Sequence, residues 1–299
     1  MGSVKSSVKG WHTAGTLLAF LLVILLQAQV GWPQEIAPPK LDEEFGKQEK
    51  IYRSRGADVP SGYVTNRGLS DYASLLPSGF CDMLGRLSNS DRWLDIGAGD
   101  GQAVLDYYAS EPKAAAEKCG RSGTRARAVA MSIEDRRTKK WQLQAAILGG
   151  DRIQYLSGKR LRDYSVEELG KFQLITDVYG GFSYTEDLSR FIGKVLSLLE
   201  VGGAFYTLVQ NVQLENGKDK PSSSFQTELV DSAGRDIKMC SWLKQTPCVN
   251  VGCESKNDWD TPTELVNIHK ICSDVSVRPT KLLRYEAGNP PGRRFQLEP

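Results

Sequence analysis

Asp95 is followed at alternate positions by Gly97, Gly99 and Gly101 within Arg92–Tyr107, RWLDIGAGDGQAVLDY. A short apolar run ends in the acid, which places Asp95 at the carboxyl end of a strand. Glycine tolerates left-handed backbone and leaves room beside it, so this loop can turn sharply and let a ligand approach. The apolar-periodic residues that follow predict a helix whose first N–H groups and positive dipole end face the same place. In open α/β sheets, ligands bind outside the carboxyl ends of the strands, where the strand order reverses. The chemistry this arrangement predicts is the holding of a polar cofactor.

The spacing narrows the cofactor. A dinucleotide loop has G-x-G-x-x-G, whereas here position 102 is Gln and the third glycine comes one residue early. The pattern D-x-G-x-G-x-G resembles motif I of the class I S-adenosylmethionine-dependent methyltransferases. The resemblance extends through Arg92–Gln210. FQLITDVYGGFSYTEDL is similar to the family's fourth strand and following loop, with Asp177 ending the strand. LSLLEVGGAFYTLVQ is similar to its next helix, Gly-Gly turn and fifth strand, with Val201 where many members have proline. The resemblance implies a Rossmann-like, doubly wound, mostly parallel sheet with an antiparallel edge strand near the C-terminus, and S-adenosyl-L-methionine as cofactor. It implies that Asp95 helps hold the cofactor's amino group and that Gly97, Ala98, Gly99 and Gly101 pass under its methionine part. The family usually closes its second strand with an acid that binds the ribose. RAVAMSIED puts Ser132 at that place, with Glu134 and Asp135 two and three residues later. Ser132, Glu134 and Asp177 complete the expected cofactor contacts. After the third strand, where the family often has an acid near the adenine, this chain offers Lys159 and Arg160, with Asp163 later.

Methyl transfer from a sulfonium is an in-line displacement, in which proximity and alignment do much of the work. A base is needed only when the nucleophile must lose a proton. The sequence has two histidines, His12 and His269, and neither is expected at the site. Asp177 and Tyr179 are the catalytic candidates, beside Tyr184, Glu186 and Asp187. Pocket lining is the competing role for the tyrosines, and the first turn of the next helix for the two acids. Upstream, GYVTNRGLSDYASLLP offers Tyr63, Arg67 and Tyr72 to a substrate, or to plain packing.

The elements that must position these residues alternate along the chain. Strands are predicted at Arg92–Ile96, Ala126–Ile133, Arg152–Leu156, Phe172–Val178 and Ala204–Gln210. Helices are predicted at Gln102–Ala109, Thr138–Leu148, Val166–Leu169 and Leu188–Leu199. Such alternation implies a parallel sheet covered on both faces. Short helices are expected before Leu76 and over Gly79–Leu87, and a charged helix over Glu43–Arg55. Beyond Gln210 the pattern predicts a loop, a hairpin over Phe225–Ser241 and irregular chain over Cys248–Asp260. A helix over Thr263–Cys272, capped by Thr261, and strands at Lys281–Tyr285 and Arg294–Leu297 follow, with NPPG at Asn289–Gly292 as a turn.

Met1–Pro33 has the anatomy of a leader: Lys5 and Lys9, then the apolar run Thr16–Leu26. The run suits a signal peptide, or a marginal membrane anchor over Ala14–Val30 if uncleaved. Lysines before it and acids after it place the body on the exported side, whether periplasmic, extracellular or lumenal. The domains expected are 1–33 as signal or anchor, 34–90 as linker and helical extension, and 91–299 as the methyltransferase-like domain. The six cysteines form no CxxC. Free thiols, disulfides and a zinc site from Cys240, Cys248, Cys253, Cys272 and His269 stand as alternatives, but the spacings match no common zinc module and no metal is expected. Net charge is +2, with no basic stripe, so a nucleic-acid partner is not expected. Two functions follow: a methyltransferase acting on an unidentified, non-nucleic-acid acceptor, or an exported relative that has lost catalysis and serves as a binding module.

Overall fold

The computed structural model describes residues 67–109, 119, 125–133, 135–184, 188–210, 226–230, 238–256, 263–273 and 283–287. The expectations for the leader, the linker, Glu43–Arg55, Arg294–Leu297 and NPPG lie outside these residues, as do Tyr63, Glu134, Glu186 and Asp187. No described helix is long and apolar enough to cross a membrane.

Nine strands are described: β1 Arg92–Ile96, β2 Arg127–Met131, β3 Ile153–Leu156, β4 Phe172–Asp177, β5 Leu199–Gln210, β6 Gln226–Val230, β7 Val249–Lys256, β8 Thr263–Lys270 and β9 Leu283–Ala287. The helices are α1 Leu69–Leu75, α2 Phe80–Arg86, α3 Gln102–Tyr108, α4 Lys139–Leu148, α5 Val166–Leu169, α6 Gly181–Tyr184, α7 Leu188–Leu198 and α8 Met239–Leu243. Seven strands form one sheet in the order β3-β2-β1-β4-β5-β8-β7. β1 to β5 pair in parallel, and β8 is antiparallel to both β5 and β7. The mostly parallel, doubly wound sheet with an antiparallel end is therefore present, with β8 inside the sheet and β7 at its edge.

Local chemistry explains the parallel half. β1 is buried on both faces, so it reads as a continuous apolar run and not as an alternation. Thr138 caps α4 by accepting from the Trp141 N–H at 3.1 Å, and Gly149, at φ 86°, ends it. Ser165 and Glu168 cap α5 reciprocally. In α7, Leu188, Phe191, Ile192, Val195 and Leu196 recur at helical spacing and fill one face. Trp93, Ala128, Leu174 and Tyr206 pack with α1, α2 and α3 on one side of the sheet. Leu94, Val129, Ile175 and Phe205 pack with α5, α7 and α8 on the other.

The late part of the chain departs from expectation. Thr263–Cys272 is not a helix but the strand β8, with Leu265, Val266 and Ile268 buried between β5 and β7. A strand covered on both faces shows no polar alternation, so its apolar spacing passes for a helix. Cys248–Asp260 holds a regular edge strand, β7, in which Gly252 leaves room for the Asn267 side chain. The hairpin over Phe225–Ser241 does not form: β6 pairs with β9 in a separate two-stranded sheet, and Met239–Leu243 is helical. The Gly202-Gly203 turn is absorbed into β5, where the register against β4 shifts. Lys270, buried at the end of β8, donates to the Leu196 and Leu199 carbonyls at 2.9 and 2.8 Å and so caps α7.

All six cysteines are paired, as Cys81–Cys119, Cys240–Cys253 and Cys248–Cys272. The pairing removes the zinc alternative, since its four sulfurs are bonded to one another. Cys240–Cys253 ties α8 to β7, and Cys248–Cys272 joins the start of β7 to the end of β8. Closing a 24-residue separation restrains the unfolded chain by roughly 3 kcal/mol. Replacing Cys248 and Cys272 by serine should therefore lower unfolding stability by about 2–4 kcal/mol in denaturant titrations, and the unfolded, unreduced protein should show no thiol to a colorimetric reagent.

Candidate functional site

β1 and β4 are neighbours in the sheet, but the chain leaves β1 toward β2 and β4 toward β5. The strand order reverses between them, and their carboxyl ends define the crevice where α/β folds bind ligands. Asp95, Asp177, Tyr179 and the glycine loop all meet there.

Asp95 is fully buried. The Tyr72 hydroxyl, from α1, lies 2.9 Å from each of its carboxylate oxygens. Thr176, its register partner on β4, donates to Oδ1 at 2.8 Å, and the Trp93 indole N–H donates in turn to Thr176 at 2.8 Å. These partners are neutral hydroxyls. Burial therefore dominates and pushes the Asp95 carboxyl up to about 7, against the opposing pull of the Thr176 and Tyr72 bonds. Burial first, and the Asp95 charge second, hold the Tyr72 phenol protonated.

The loop after β1 has Gly97, Gly99 and Gly101 at φ 73°, 58° and 80°. Two of these glycines make room for protein and not for a ligand. A Cβ on Gly97 would lie 2.3 Å from the Gly180 Cα, and one on Gly101 would lie 2.4 Å from the Trp141 ring. Gly180 follows β4, so the loops after β1 and β4 touch backbone to backbone. Ala98 is buried, and its N–H donates to the Met131 carbonyl. The Gly99 carbonyl accepts from the Tyr155 hydroxyl. Asp100 accepts from the Gln102 N–H at 3.0 Å, and its burial raises its carboxyl from the usual range.

Ser132 stands at the carboxyl end of β2 beside Tyr155. Ile133, next to it, is 48% exposed. Lys159 pairs with Glu168 at 3.2 Å, and Asp163 accepts from the Arg160 N–H.

Asp177 is fully buried, and its two oxygens accept from the Gly180 and Phe182 N–H groups at 2.9 and 2.8 Å. It braces the loop after β4. Tyr179 adopts φ 56°, rare for a bulky residue, and the Arg67 guanidinium lies 4.5 Å from its ring centre. Tyr179 is partly buried against the core, and burial raises its phenol further from neutrality, so little phenolate is present to act as a base. Tyr72 does not face a substrate: it is 2% exposed and committed to Asp95.

Sequence reasoning missed Thr176, Trp141 and Tyr155 as parts of the site. Tyr72 had a signal, since Leu69, Tyr72 and Leu76 share one helical face.

No protein-family model matches the chain, and no curated protein matches it. Solved structures do. This chain is similar to solved methyltransferases. An rRNA methylase from Streptococcus thermophilus is 14% identical, with 64% of this chain and 94% of that chain covered and a TM-score of 0.41. The N-terminal domain of EvdMO1, crystallised with SAH and D-fucose, is 9% identical, with 70% and 85% covered and a TM-score of 0.44. The precorrin-6y C5,15-methyltransferase of Geobacter metallireducens is 12% identical, with 64% and 85% covered and a TM-score of 0.33.

Two outcomes follow from the geometry. A carboxyl raised to about 7 is most stabilising when protonated, so its contribution is complete below about pH 4 and is lost as pH rises to about 7. Between pH 5 and pH 8 the wild type should lose about 2.5 kcal/mol that Asp95→Asn keeps, in urea unfolding at the two pH values. Gly97→Ala should lower the melting temperature outright, because its Cβ collides with backbone.

Proposed function

We propose that the chain is an S-adenosylmethionine-dependent methyltransferase whose cofactor lies over the glycine loop at the β1/β4 crevice. One observation carries this: a buried acid, Asp95, bonded among the described residues only by neutral hydroxyls, at the point where the strand order reverses. A cation arriving there supplies the counter-charge that the protein withholds. The strand order supports the same reading, because a nicotinamide-type sheet continues 3-2-1-4-5-6 in parallel, whereas β5 here is followed in space by the antiparallel β8.

The residues present fit that cofactor in kind. Asp95 would face its ammonium, once the Tyr72 hydroxyl gives way. Arg67, stacked on Tyr179, would face its carboxylate. Ser132, with Glu134 beside it in sequence, would serve the ribose, and exposed Ile133 offers an apolar face to the adenine. Gly97, Ala98, Gly99 and Gly101 shape the floor. When bound, the cofactor supplies an electrophilic methyl on a sulfonium. The chain's own residues orient it and exclude water. Asp177 positions the loop bearing Tyr179, and no described side chain is assigned as a base. The acceptor is an unidentified molecule other than nucleic acid.

We also infer that the chain works outside the reducing cytosol. The leader and the pairing of every cysteine support this. They also support the second function, an exported relative without catalysis.

Calorimetry with the full chain decides between the two. S-adenosylmethionine and S-adenosylhomocysteine should each bind, and Asp95→Asn should weaken S-adenosylmethionine by about tenfold to a hundredfold. No heat at ligand concentrations around 1 mM would sink the enzyme.

A further inference from the structure

Helix α4 has two apolar faces. Trp141 is buried, and Ala145 and Leu148 pack with it against the core. On the opposite side Leu143 and Ile147, one turn apart, are 68% and 77% exposed. They are two of the five large hydrophobic side chains most exposed among the described residues. Arg136, Arg137, Lys139 and Lys140 precede them in sequence. Lys139 and Lys140 are exposed, and Lys140, Leu143 and Ile147 fall on one helical face. Arg137 is paired with Asp135, and Lys140 donates to the Gln102 side-chain carbonyl at 3.4 Å from an otherwise exposed position.

From this we propose that the outer face of α4 docks on an anionic lipid surface. Aliphatic side chains backed by lysines suit a bilayer, with the apolar groups entering the acyl boundary and the ammonium groups meeting phosphate. An RNA or an acidic protein uses the lysines but leaves Leu143 and Ile147 without a partner. The docking is separate from any anchoring by residues 1–33 and stands whether or not the chain transfers methyl groups. It would bring lipid beside the crevice, because Trp141 of the same helix packs on Gly101.

The test is hydrogen exchange on the full chain, read in peptides covering 139–148 during titration with vesicles. Local readout separates α4 from the N-terminal segment. Exchange should slow on phosphatidylglycerol vesicles and not on phosphatidylcholine vesicles. Each lysine at an anionic surface strengthens docking about fivefold, so Lys139→Gln with Lys140→Gln should raise the lipid needed by about 30-fold. Leu143→Gln with Ile147→Gln, which keeps good helix formers on an exposed face, should abolish the protection and leave the melting temperature nearly unchanged. Three results would overturn the proposal. One is identical exchange with and without phosphatidylglycerol. Another is equal slowing by a soluble polyanion such as poly(U). The third is a marked fall in melting temperature of the variant with Leu143→Gln and Ile147→Gln without lipid, which would mean that the chain itself covers this face.

Discussion

A carboxylate that no described cation pairs with governs this structure. Asp95 is fully buried at the sheet's switch point, and Tyr72, Thr176 and, behind Thr176, Trp93 are the groups that keep it there. Such a group is costly ionised, which is why its carboxyl sits near 7. The arrangement ties three elements together: β1 supplies the acid, β4 the threonine and α1 the phenol. It also gives α1 a second meaning. The helix that seals the acid from water is the one that the proposed cationic ligand would have to displace or share.

The same economy of space runs through the loops. Gly97 and Gly180 touch because neither has a side chain, and Gly101 receives Trp141. The crevice floor is thus set by contacts between the loop after β1, the loop after β4 and α4. Asp177 completes it by holding two N–H groups of the second loop. Glycines that look like space for a cofactor are in part space for neighbouring protein.

The parallel half of the fold was legible because each element carried its own signal: Thr138 and Gly149 bracket α4, Ser165 and Glu168 cap α5, and Asp95 and Asp177 stand at the carboxyl ends of β1 and β4. The last third was not. β8 is apolar through burial on both faces, and β7 is a polar edge containing Gly252, so neither shows the period expected of it. The pairing of Cys240 with Cys253 and of Cys248 with Cys272 depends on how β7 and β8 pack, which spacing alone does not encode. At the site, the glycine register located the crevice, and Asp95 was identified by type. Its partners were hidden, because Tyr72 and Thr176 reach it only through sheet register and helix packing across 23 and 81 residues of chain.

The claim at the centre is that Asp95 awaits a cation. At pH 6 a carboxyl near 7 is mostly protonated. Pairing with the cofactor's ammonium would ionise it. Calorimetry of S-adenosylmethionine binding at pH 6, in two buffers of different ionisation heat, counts the protons released. The account predicts release approaching one proton at pH 6 and little at pH 8, with the release absent in Asp95→Asn. Binding with no proton release at pH 6 would contradict it.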